Sequence, residues 1–98
     1  MMLNSIILQN KYQTIYSAIS NYLWPIDVVE HIADFEIACY SAFPDMMNVR
    51  RTFDILKRDV TDVIREDGEL SDAFDQFDQL ISDNTDTYLP IRKVNEVV

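Results

Sequence analysis

The chain has 98 residues, is 48% hydrophobic and 11% aromatic, and carries a formal net charge of −9. That length fits one domain, and that composition excludes a disordered chain. A single glycine, against a usual share of about 7%, argues against an all-β fold and any Gly-rich nucleotide loop.

The first helix is predicted from Ser5 to Leu23. Leu8, Tyr12, Ile15, Ile19 and Tyr22 recur at spacings of three and four, as one face of an amphipathic helix does. Its other face is polar but nearly uncharged: Gln9, Asn10, Gln13, Thr14, Ser17, Ser20 and Asn21. Such a face suits a partly covered helix or a contact surface.

Pro25 ends this helix and suits the first turn of the next, predicted over Pro25–Phe43. Val28, Ile32, Phe35, Cys39 and Phe43 form one stripe; Ile26, Val29, Ala33, Ile37 and Tyr40 form a second. A helix apolar on most sides is central in its domain or carries a docking surface.

Pro44-Asp45 is the next break, with Asp45 as the cap of a third helix over 46–67. Met46, Val49, Phe53, Leu56, Val60 and Val63 make its stripe. On its outer face Arg50–Asp54, Asp54–Arg58 and Arg58–Asp62 are opposite charges four apart. Gly68 is expected just past its end, in the left-handed conformation that closes many helices. A shorter fourth helix over 69–83 buries Leu70, Phe74, Phe77 and Ile81. Residues 84–87 read as a loop, and 88–94 as an extended apolar-basic segment.

The fold expectation is all-α: a small bundle of three long helices and one shorter helix over residues 1–86, with an extended C-terminal tail over 87–98. Sequential helices should be neighbours, mostly antiparallel.

The charge is polarised. Residues 59–86 hold ten acids against one base, Arg65, which equals the net charge of the whole chain. Asp62, Glu66, Asp67, Glu69, Asp72, Asp75 and Asp78 are the candidate partner-binding residues. On a helix, neighbours three or four apart lie about 5–6 Å from each other, roughly the spacing of successive phosphates on a strand. Such a row can occupy a basic, nucleic-acid-binding surface of a protein partner. The plainer reading is an acidic face that keeps the chain in solution. Tyr88, Leu89, Ile91 and Val94 are candidate subunit contacts, because an extended apolar segment after a bundle often adds area to a neighbour.

Catalysis finds little to work with. The sole histidine, His31, and the sole cysteine, Cys39, are eight residues apart on one predicted helix. That is about 12 Å of rise, too far for a nucleophile–base pair. One histidine and one cysteine cannot close a zinc site. A calcium loop ending at Gly68 would need an acid at position 63, which is Val63. The basic cluster Arg50, Arg51, Lys57, Arg58 is interleaved with Asp54 and flanked by Asp62. At a net charge of −9, counterion release opposes binding to nucleic acid.

The chain reads as intracellular and cytoplasmic, or exported by a route the residues do not show: Cys39 has no disulfide partner, and neither a signal-peptide pattern nor a run of about 18 apolar residues is visible. The expectation is a non-catalytic protein without cofactor or metal. In composition it resembles small phage-encoded proteins, a likeness that carries over no residue. Two functions fit: an inhibitor or adaptor whose acidic segment meets a basic protein surface, with no direct nucleic acid and no membrane; alternatively, a structural subunit of a homo-oligomer such as a virion or connector component.

Overall fold

A computed structural model describes residues 5–88, with side chains through residue 83. The described residues form five α-helices and no strand: α1 (Ser5–Ile19), α2 (Ile26–Tyr40), α3 (Met46–Asp59), α4 (Thr61–Glu66) and α5 (Gly68–Tyr88). The fold is a small all-α bundle.

The α1 stripe is buried at Leu8, Tyr12, Ile15 and Ile19, with Ala18 beside it. The helix stops short of Leu23. Asn21 and Tyr22 donate three residues back, to Ala18 and Ile19, which tightens the last turn. The indole Nε1 of Trp24 then donates to the Ile19 carbonyl at 2.8 Å, the acceptor that residue 23 would need to extend the helix. Tyr22, expected on the buried stripe, is therefore exposed, and Leu23 is fully so.

Pro25 caps α2 with extended backbone, and its carbonyl accepts from Val28 and Val29. Only one of the two expected stripes faces the core: Val28, Phe35 and Cys39 are buried with Ala38, and Ile32 packs against them. Ile26, Val29, Ala33, Ile37 and Tyr40 are exposed. The helix ends at Tyr40, since Ser41 turns extended ahead of Pro44, and Phe43 is left 91% exposed rather than on the core stripe.

Asp45 caps α3 as expected, its carboxylate accepting from the Met47 amide at 3.0 Å. The predicted third helix is in fact two. Val60 leaves helical geometry (φ −107°, ψ 14°), and Thr61 bonds its hydroxyl back to the Lys57 carbonyl at 3.0 Å. Back-bonding of this kind bends helices. The bend sets α4 against α5 with Val63 and Ile64 packed on the core.

Gly68 does not close a helix; it opens one. No described glycine has a positive φ. Asp67 is the extended residue, and its carboxylate accepts from the Glu69 and Leu70 amides at 3.0 and 3.2 Å. An aspartate side chain satisfying the first free amides is an N-cap. The resulting α5 is the longest helix, 21 residues, and runs through the stretch read as a loop at 84–87. No glycine or proline interrupts the chain between Gly68 and Pro90.

α1 packs on α2 and on α5, while α2 packs on α3. Where they meet lies an aromatic cluster. Phe77 stacks on Phe53 at 5.0 Å and meets Phe35 edge-on at 4.9 Å. Phe74 stacks on Phe53 at 5.5 Å, and Tyr12 meets Phe35 edge-on at 5.5 Å. Such pairs are worth about 0.5–1.5 kcal/mol each beyond their buried area. One ring or more from each of α1, α2, α3 and α5 thus holds the bundle together.

Candidate protein-interaction surface

The acidic residues sit on α4 and α5 because the apolar side of α5 is fully committed. Leu70, Ala73, Phe74, Phe77 and Ile81 are buried, which turns Asp72, Asp75 and Gln79 outward. The seven acids singled out in the sequence do not form one uniform row.

Asp78 lies at the α3 edge. Its carboxylate stands 3.1 Å from Arg50 Nη1 and 3.4 Å from Lys57 Nζ, both on α3. Arg50 also reaches Asp54 at 3.5 Å. Two of the four bases in the basic cluster, Arg50 and Lys57, are thus tied to α5, while Arg51 and Arg58 are exposed. Lys57 also lies over the Phe53 ring, and Arg51 bonds Asn48 at 2.8 Å. Of the three helix-surface pairs expected, only Arg50–Asp54 forms; Asp62 pairs with Arg65 at 3.6 Å instead.

Asp67 is occupied as the α5 cap, and the Tyr22 hydroxyl donates to its second oxygen. That bond, with the backbone amide of Leu70, holds the Asp67 carboxyl below its ordinary pKa. The same bond raises the Tyr22 hydroxyl above its own. Tyr22, placed on the core stripe by its spacing, instead pins the chain after α1 to the start of α5. Periodicity carries no signal for such a contact.

Glu66, Glu69, Asp72 and Asp75 remain. All four are exposed and make no ion pair among the described residues. Beside them a shallow polar groove is lined by Gln13, Thr14 and Ser17 of α1 and Glu69 of α5. The uncharged face of α1 is therefore open at Asn10, Gln13, Thr14 and Ser17. Tyr88 ends α5, while Leu89, Ile91 and Val94 lie outside the described residues.

His31 donates from Nδ1 to the Asp59 carboxylate, linking α2 to the end of α3. Cys39 is fully buried, and loss of solvation pushes its thiol up to about 12, away from any nucleophilic role. Among the described residues, no group of three or more His, Cys, Asp or Glu side chains could hold a metal ion. No described helix is long and apolar enough to cross a membrane. Compared with family models, with curated proteins and with solved structures, the chain matches none.

Proposed function

We propose that the chain is a non-catalytic protein-binding module whose α4–α5 shoulder meets a basic surface on a partner protein. The observation that carries this reading is the set of four exposed carboxylates at Glu66, Glu69, Asp72 and Asp75, which make no ion pair among the described residues. Unpaired charge of one sign speeds encounter with a surface of the opposite sign and fixes its orientation. The surface met is that of a nucleic-acid-binding protein, and the module acts as an inhibitor or adaptor of the kind phages encode. The reduced, buried Cys39 supports a cytoplasmic setting.

The test is affinity purification of the full chain followed by mass spectrometry, repeated with Glu69→Gln, Asp72→Asn and Asp75→Asn combined. A basic partner that is released by salt and lost with the variant supports the reading. A partner retained equally by the variant overturns it. The open, uncharged face of α1 favours a second reading, a homo-oligomeric structural subunit, for which a stable oligomer in light scattering is the expected sign.

A further inference from the structure

The outward side of α2 is apolar and, among the described residues, is engaged only at its C-terminal end, where the Tyr40 ring meets Tyr12 of α1 edge-on and its hydroxyl accepts from Gln13. Ile26 is 68% exposed, Val29 46% and Ile37 69%, with Ala33 and Tyr40 on the same side and Leu23 just before the helix. Positions 26, 29, 33 and 37 are spaced three or four apart, so they line one open face over about 16 Å. That face lies opposite the buried Val28, Phe35 and Cys39. Scattered exposed apolar residues are ordinary, but a continuous helical stripe of them marks a contact surface. The small Ala33 at its middle allows a second helix to approach closely, and the three-four spacing is the one helices use to interlock.

The charges beside the stripe choose the occupant. Asp27, Glu30 and Asp34 run along one flank, Glu36 stands on the other, and all four are exposed. The helix carries no lysine or arginine, and its one histidine is bonded to Asp59. A second copy of the chain would bring these same acids face to face. An incoming helix with an apolar stripe between lysines or arginines satisfies both the stripe and its rim.

We propose that this face of α2, centred on Ile26, Val29, Ala33 and Ile37 between Glu30 and Glu36, docks a basic amphipathic helix of another protein. It is independent of the α4–α5 shoulder, because the two surfaces lie on different helices and are disabled by different variants.

The probe is a synthetic helix of leucines at three-four spacing flanked by lysines, titrated into the full chain and followed by fluorescence anisotropy. A peptide of identical composition, scrambled to break the stripe, is the control. The expected result is at least tenfold weaker binding of the scrambled peptide, and at least tenfold weaker binding of the probe to Val29→Ser/Ile37→Ser. These positions are exposed, so circular dichroism should be unchanged. Glu30→Gln/Asp34→Asn/Glu36→Gln should weaken binding and flatten its salt dependence. Asp72→Asn/Asp75→Asn should leave it within twofold. Equal binding of both peptides, or no effect of Val29→Ser/Ile37→Ser, overturns the proposal. A dimer abolished by Val29→Ser/Ile37→Ser overturns it in favour of a second copy. A tenfold gain in probe affinity with Arg92→Gln/Lys93→Gln overturns it in favour of the chain's own C-terminal residues.

Discussion

Arg50 on α3 holds Asp78 on α5 at 3.1 Å, and this pairing removes Asp78 from the acidic surface. With Lys57 on the other carboxylate oxygen, Asp78 is a clamp between two helices rather than a free charge. Neutralising it should therefore act on stability. Asp78→Asn is expected to lower the unfolding free energy by about 0.5–1 kcal/mol, the range for half-exposed pairs. Asp72→Asn and Asp75→Asn should each change it by less than about 0.5 kcal/mol. Urea denaturation of the three variants checks this; equal effects at all three positions would mean the clamp does not form.

Phe53 touches Phe35, Phe74 and Phe77 in the fully buried aromatic cluster. Phe53→Ala and Phe35→Ala are each expected to cost about 3–5 kcal/mol, as truncations of core aromatics do. Leaving both variants within about 1 kcal/mol of the parent in chemical denaturation would show that these rings are not the core.

These core positions were legible because helical burial has a period. Leu8, Tyr12, Phe35, Phe53, Phe74 and Phe77 all stand where spacing put them. Boundaries and faces were less legible. Whether Gly68 ends one helix or begins the next depends on what the Asp67 carboxylate binds, which spacing does not encode. The Trp24 indole on the Ile19 carbonyl shortens α1 by the same kind of non-periodic contact. On α2 both apolar stripes were visible, but which one the bundle covers is decided by α1 and α3, not by α2 itself. Among the acids, charge could be counted from the sequence. The Tyr22 bond to Asp67 and the Arg50 bond to Asp78 could not, because those partners are 45 positions and 28 positions away in the chain.

The hydroxyl of Tyr12 is buried in the α1–α2 contact and finds no hydrogen-bond partner among the described residues. An unsatisfied buried polar group costs about 1–3 kcal/mol. Tyr12→Phe keeps the ring contacts with Phe35 and Tyr40 and removes that group. It should raise the unfolding free energy by about 1 kcal/mol, the opposite of the usual result of deleting a tyrosine hydroxyl. Destabilisation of similar size, measured by thermal or urea unfolding, would show that the hydroxyl is bonded in solution.

The last prediction concerns alkaline pH. Burial pushes the Cys39 thiol up to about 12 in the folded chain, while an exposed thiol titrates near about 8.5. Because the folded value is the higher one, its contribution to stability is fully present below the unfolded value. It is lost as pH rises toward the folded value. Between those limits the unfolded chain releases a proton that the folded chain keeps, and stability falls by about 1.4 kcal/mol per pH unit for that proton. Burial also raises Tyr12, and its bond to Asp67 raises Tyr22, so the whole alkaline limb should slope downward. Cys39→Ala removes only the cysteine share. Urea midpoints measured from pH 8 to 10.5 should therefore show a shallower decline for Cys39→Ala than for the parent, with the difference approaching one proton near the upper end. Parallel declines would mean that Cys39 is solvated in the native state and that α2 does not pack against the core at that position.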